Sequence, residues 1–143
     1  MAQITLAKAK RMISAALRHG REKDMKPLTV VVLDAGGHVK AVEREDGASN
    51  LRFEVARGKA YGALAVGMGS RALMARAEAQ AYFVQALNGL ADGKVVPVPG
   101  GALVKTARGE IVGAVGITGD TSDADEACAV AGIEAAGFAA DPG

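Results

Sequence analysis

Val96 to Glu126, VPVPGGALVKTARGEIVGAVGITGDTSDADE, constrains this chain more than any other stretch. It reads as strand, glycine turn, strand, tight turn, glycine-studded strand and acid-rich helix start. Gly113 and Gly116 interrupt an otherwise buried-strand run, Ile111 to Ile117, and a glycine inside a strand marks a bulge or a close backbone approach. Something must pack against that strand at backbone distance. Thr118-Gly119-Asp120 then turns the chain into Thr121-Ser122-Asp123-Ala124-Asp125-Glu126. There, Ser122 with Asp125 and Asp123 with Glu126 both have capping-box spacing. A helix is expected to start within a few residues of Asp123, its positive end complemented by these acids.

What can pack so closely follows from residue size. Half of the 143 residues are hydrophobic, yet aromatics make up only 3%, Trp is absent and Gly reaches 19. The core must be aliphatic and small-residue, within the length of one domain, residues 1–143. Charge argues against two classes of partner. Seventeen basic and sixteen acidic residues are interspersed, for a net charge of +1, which leaves no electrostatic footprint for nucleic acid or a membrane surface. The N-terminus offers a basic helix where a signal peptide needs an apolar run, so the expected location is the cytoplasm. Cys128 is the single cysteine, which excludes an intrachain disulfide, and its place on an apolar helical stripe points to the core.

Taken in order, Thr5 is the expected cap of a first helix with Leu6, Ala9, Ile13, Ala16 and Leu17 at three-four spacing. Leu28 to Leu33 is a β-branched run of central-strand type. Asp34-Ala35-Gly36-Gly37-His38 is a turn by composition, and Val39 to Arg44 returns to complete a hairpin. After a polar loop, a second helix from about Leu51 carries Phe53, Ala56, Ala60, Ala63 and Leu64 on one face, with Ser49 or Asn50 as cap. Gly67-Met68-Gly69 breaks it. Ser70 is expected to cap a third helix with Leu73, Ala77, Ala81, Val84 and Leu87 inward, ended by Asn88-Gly89 or Asp92-Gly93. The three strands of the opening stretch follow, and then a last helix with Ala124, Cys128, Ala131, Ala135 and Phe138 inward. The tail Ala139 to Gly143 is expected to fray. Short connections favour an antiparallel sheet with helices on its faces over a doubly wound parallel fold.

Four motifs carry a resemblance: Asp34-Ala35-Gly36-Gly37-His38, Gly58-Lys59-Ala60-Tyr61, Pro99-Gly100-Gly101 and Gly113-Ala114-Val115-Gly116-Ile117-Thr118-Gly119-Asp120-Thr121. With them the chain resembles the GlcG/HbpS-like family, often described as haem-degrading or haem-binding and related to the C-terminal domain of PduO-type cobalamin adenosyltransferases. The resemblance implies an α+β, profilin-like sandwich: a five-stranded antiparallel sheet flanked by helices, assembled into dimers or larger homo-oligomers. It also implies haem as a possible cofactor. Relatives often carry Gly-Gly where this chain has Gly119-Asp120, which alters what that turn would accept.

The candidate site residues divide between two functions. For a tetrapyrrole-binding protein, His38 after its glycine turn is a candidate iron ligand. So is His19 near the end of the first helix, as a histidine on that helix is in some haem-binding relatives. Each has a plainer role, His38 as a solvent-facing hairpin residue and His19 as a cation near a helix C-terminus. Neither has a partner at metal-ligand spacing, so no dedicated zinc or non-haem iron site is expected. For an enzyme, the expected reaction is that of a lyase, isomerase or hydratase on a small carboxylated intermediate. Lys59 would reach the Pro99-Gly100-Gly101 turn, whose Gly100 and Gly101 amides can form an anion-accepting concavity. Asp120 or His38 would move the proton. Asp34, Tyr61 and Thr118 complete the ligand-binding candidates. Asp34 also suits a turn, Asp125 a cap and Tyr61 a core rim, whereas Asp120 has no evident structural duty in the sequence. A third possibility is a protein whose only work is assembly.

Overall fold

The computed structural model describes residues 3–143. Thr5 caps helix α1 (Leu6–Glu22), its Oγ1 accepting from the Lys8 N–H at 3.1 Å. Ala9, Ile13 and Ala16 are buried as the spacing predicts, joined by Met12, while Leu6 lies exposed. Strands β1 (Thr29–Asp34) and β2 (Val39–Arg44) form the expected hairpin, with a register shift between Val32 and Leu33. Strands β3 (Gly101–Lys105) and β4 (Ile111–Thr118) form a second. All pairings are antiparallel in one five-stranded sheet of order β2-β1-β4-β3-β5.

Both faces of this sheet are covered, which is why Val30 to Leu33 are fully buried. Val30 and Val32 face α1 and helix α5 (Ser122–Ala135), whereas Val31 and Leu33 face helix α2 (Arg52–Val66). Each such buried aliphatic side chain contributes roughly 1.5–3 kcal/mol relative to exposure. Gly116 is the close approach that the sequence demanded: a Cβ there would lie 1.9 Å from the carbonyl oxygen of Ala56 on α2. On the other face, a Cβ at Gly132 of α5 would lie 2.5 Å from the carbonyl oxygen of Met12 on α1. That contact sets the rotation of α5. Its buried residues are Asp125, Cys128, Ala129, Gly132 and Ile133, while Ala124, Ala131, Ala135 and Phe138 of the expected stripe are not fully buried.

Several expectations are corrected. No strand forms at Val96. Pro97 and Pro99 remove alternate N–H donors from the ladder, and the segment runs as a loop held by the Val96 N–H on Gly58 O at 3.2 Å. The fifth strand is β5 (Ala139–Asp141), drawn from the tail expected to fray. It pairs with β3, Lys105 Nζ meets Asp141 Oδ2 at 2.6 Å, and the Arg71 N–H donates to Pro142 O at 3.1 Å. Ala-Ala-Asp has no strand propensity of its own; its partners make it a strand.

The third helix is two, α3 (Ser70–Ala79) and α4 (Ala81–Leu90), broken at Gln80 where φ is −142°. With Val95 they enclose a small separate core around Leu73 and Val84. Of the two terminators considered, Asp92-Gly93 takes the left-handed conformation, with φ of 54° and 78°. Capping also differs. Gly69 rather than Ser70 precedes α3, and Ser49 and Asn50 leave α2 uncapped. Thr121 caps α5, its Oγ1 accepting from the Ala124 N–H at 3.2 Å, in place of either capping box. Among the described residues no helix is long and apolar enough to cross a membrane.

Candidate functional site

The pairing register sends the chemistry-bearing residues to opposite ends of the sheet. Thr29 lies opposite Thr118, and Gly101 opposite Gly116, at one end; Asp34 opposite Gly113, and Lys105 opposite Ile111, at the other. At the first end, Lys59 extends from α2 to donate from Nζ to Ile117 O at 2.9 Å and to Asp125 Oδ2 at 3.1 Å. Asp125 belongs to α5, on the opposite face, so the side chain links the two helical layers around the sheet's end. Gly100 makes the passage. Its φ is 121°, and a Cβ there would meet Ile117 O at 2.6 Å and Lys59 Nζ at 2.8 Å.

Lys59 therefore does reach the glycine turn, but the carboxylate that it holds is the protein's own. The two side chains are 2% and 1% exposed. Burial pushes the Lys59 ammonium down and the Asp125 carboxyl up from their ordinary values, and each partner's charge opposes the shift. The Gly101 N–H donates to Ser70 Oγ at 2.7 Å, so it does not face an open concavity. Thr118 Oγ1 accepts from Arg52 Nη1 at 2.9 Å. Asp120 has the structural duty that the sequence did not reveal. Its Oδ2 accepts from the Lys26 N–H and its Oδ1 from the Thr121 N–H, each at 2.8 Å, and these bonds, Lys26's first, hold the carboxyl below its ordinary value. Asp125, read from sequence as a cap, is instead the counter-ion, and its Oδ1 accepts from the Asp120 N–H at 3.0 Å.

The opposite end is open. In the β1–β2 turn, Asp34 Oδ1 accepts from the N–H groups of Gly36 and His38, both at 3.0 Å, the side-chain turn that Asp favours. Partial burial alone would raise the Asp34 carboxyl, but those two N–H groups and the neighbouring imidazole bring it below its ordinary value. His38 Nδ1 lies 3.4 Å from the same oxygen, with the His38 and Asp34 side chains 83% and 39% exposed. Gly37, with φ of 82°, rests on Tyr61, whose ring atoms would come within 3.0 Å of a Cβ there. Tyr61 is half-buried, and Lys94 Nζ sits 5.0 Å above its ring. Beside His38 is a cleft of about 380 Å³ with apolar walls from Ile4, Ala35, Ile111 and Val112, and with Lys40 and Glu110 at its polar edge.

His19 is elsewhere. It lies half-buried in the last turn of α1, while Ile4, just before that helix, lines the His38 cleft. Fifteen residues of rise separate them, roughly 20 Å, so one chain cannot place both imidazoles on one metal. Cys128 is buried with Sγ 3.4 Å from Met25 Sδ, its thiol pushed up to about 11 by burial, which makes it an inert core group. Sequence reasoning missed Arg52, Ser70 and Asp125 as partners. For Asp125 a signal existed, because on a helical wheel it shares the inner arc of α5 with Cys128 and Gly132, as Lys59 shares that of α2 with Ala56 and Ala63.

Comparison with known proteins agrees with this architecture. The chain is 24% identical to the protein in the crystal structure of the PduOC:haem complex, with a TM-score of 0.85 over 96% of this chain and 97% of that one. A double mutant of HbpS from Streptomyces reticuli is 27% identical, with a TM-score of 0.78 over 94% and 87%. An uncharacterized 15.0 kDa protein from the dhaT-dhaS intergenic region of Citrobacter freundii is 29% identical over 136 residues, 94% of this chain and 92% of that protein. The family model for haem degrading protein HbpS-like matches residues 4–134. On that match, this chain belongs to the HbpS-like family.

Proposed function

We propose that this protein binds haem at the open end of its sheet, with His38 as the protein ligand. The observation that carries the reading is the Asp34–His38 pair at the mouth of an apolar-walled cleft. A metal-ligating histidine characteristically directs its other ring nitrogen at a carboxylate, which fixes the tautomer and raises basicity. With Nδ1 toward Asp34 Oδ1, the His38 Nε2 lone pair is the one free for a metal. The residues present thus fit a haem: an accessible imidazole, a carboxylate behind it, aliphatic walls and Lys40 to meet a propionate. Iron held there would supply redox and ligand-binding chemistry. The chain's own part is to orient the imidazole, exclude water from one side with Ile4, Ile111 and Val112, and neutralise a carboxylate.

Two further facts support the reading. The family is described as haem degrading, and the related PduOC domain was crystallised with haem. The cleft is at the lower end of ligand-pocket volumes, about 300–1,000 Å³, so part of a macrocycle would stay outside it. The carboxylate-processing alternative draws no support from the geometry, since Lys59 is sealed on Asp125 and Asp120 is occupied by two backbone N–H groups. Haemin titration followed through the Soret band tests the assignment. Saturable one-site binding is expected for wild type and His19→Ala, and loss of the shifted band for His38→Ala. An unchanged spectrum in His38→Ala would remove His38 as the ligand.

A further inference from the structure

We infer that the end of the sheet that holds Lys59 carries a second site, an oxyanion site at the start of α2 centred on Arg52, for a small carboxylate or phosphate. It stands at the far end of β1 from His38 and is independent of haem. The inference is of binding, not turnover. The packing of α2 places the residues. Ala56 lies on Gly116 of β4, so Arg52, one helical turn back, lies two strand residues further on, over Thr118. There its Nη1 donates to Thr118 Oγ1 at 2.9 Å. Thr29 is opposite Thr118, and because Val31 and Leu33 face α2, strand alternation turns Thr29 toward that helix as well. Opposed side chains have Cβ atoms about 4.5–5.5 Å apart, which puts the Thr29 hydroxyl beside that of Thr118, at the foot of Arg52.

What these groups share is an excess of donors. Thr29 is fully buried, and its Oγ1 has no hydrogen-bond partner among the described residues. A buried hydroxyl left unpaired carries the full cost of its lost hydration. Arg52 is half-buried, yet among the described residues it forms no ion pair. Its Nε donates to Ser49 Oγ at 3.1 Å, so the partners of Nε and Nη1 are both neutral hydroxyls. The start of α2 adds backbone donors. No side chain caps it. The Arg52 and Val55 N–H groups donate to Ser49 O and Leu51 O. Those of Phe53 and Glu54 have no partner among the described residues, and they point out of the helix end whose partial positive charge favours an anion.

The surrounding charges leave Arg52 uncompensated. Glu45 is taken by Arg21 and the Leu28 N–H, and Asp125 by Lys59. Asp46 and Glu54 are exposed. Arg44, opposite Thr29 on β2, has only the Ala48 carbonyl at 3.4 Å. Burial holds the Lys59 ammonium below its ordinary value, and the charge of Arg52 pushes the same way. An oxyanion supplies what this end lacks. Two of its oxygens match the planar fork of the guanidinium once Ser49 gives way, and its remaining lone pairs serve the Thr29 hydroxyl and the helix N–H groups.

Amide chemical shifts of isotope-labelled protein, titrated with sodium acetate or sodium phosphate at an ionic strength held constant with chloride, read the site directly. Saturable shifts should centre on Arg52, Phe53 and Glu54, with a dissociation constant in the millimolar range, the scale that a ligand of so few atoms reaches. A response to acetate alone assigns a carboxylate, and one to phosphate alone a phosphate; either supports the site, as does a response to both. Arg52→Gln should weaken binding about 10–100-fold, the worth of hydrogen bonds to a charged group. Thr29→Val keeps the volume and removes the unpaired hydroxyl. It should raise the melting temperature without anion and shrink the rise that the anion brings, whereas a threonine that serves only packing would change neither. This variant keeps the test intact if Arg52→Gln fails to fold. Shifts that never saturate, that chloride reproduces, or that persist unchanged in the variants would overturn the inference.

Discussion

The two ends of the sheet each hold a nitrogen side chain against a carboxylate at similar separation, Lys59–Asp125 at 3.1 Å and His38–Asp34 at 3.4 Å, and they differ in access. The first pair is sealed and gathers three elements, α2, β4 and α5, around one ammonium. The second stands in solvent on a glycine turn beside a cleft. The lesson is that residue type and spacing do not distinguish a sealed pair from one that a ligand could reach; access does. An ammonium with two partners and no solvent can neither take a substrate carboxylate nor exchange a proton readily, whereas an exposed imidazole backed by a carboxylate can ligate.

The strongest test breaks the sealed pair. Removing one partner leaves a buried charge without compensation, which costs about 3–5 kcal/mol. Lys59→Met and Asp125→Leu should each lower the free energy of denaturant unfolding by that order. The double variant should recover much of the loss, because an apolar pair of similar volume removes the desolvation cost along with the attraction. Two single losses that simply add in the double variant would show that the side chains act independently, and the contrast between the two ends would fail.

Legibility in the sequence follows the same division. The hairpin of β1 and β2, the cap at Thr5 and the close approach at Gly116 are local or small-residue signals, and each is readable. β5 was not, because its strand character comes from pairing with β3 and from the Lys105 and Arg71 contacts, all distant in sequence. Asp120 and Asp125 were misread for a similar reason. Asp120 was read as free of structural duty and Asp125 as a cap, and only the approach of Lys26 and Lys59 from other elements shows what each holds. Asp34 and His38 were each legible as candidates in a five-residue turn, but their pairing was not, because it depends on how that turn folds.

At the open end, Asp34→Asn sharpens the contrast at smaller cost. The amide oxygen can still accept from the Gly36 and His38 N–H groups, so the turn and the melting temperature should hold. What disappears is the charge behind the imidazole. Loss of a carboxylate behind a metal-ligating histidine typically lowers affinity about 10–100-fold, and haemin titration of this variant should show a drop of that size. Unaltered affinity would mean that Asp34 serves only the turn.

The smallest effect is expected where a carboxylate is structural yet wet. Asp120 holds two backbone N–H groups, Lys26's and Thr121's, and these keep its folded pKa below the ordinary 3.8. A depressed folded value means that the unfolded chain binds the proton more readily. The contribution is therefore complete above about pH 4 and is lost as pH falls through the folded value. Asp120→Asn removes the titration and weakens one of the two bonds. Its melting temperature should lie slightly below wild type at neutral pH, and the two curves should converge in acid. Asp125→Asn should not behave this way, since it takes the counter-ion from the buried Lys59 ammonium. A gap between wild type and Asp120→Asn that persists unchanged at low pH would show that packing, not charge, is what Asp120 supplies.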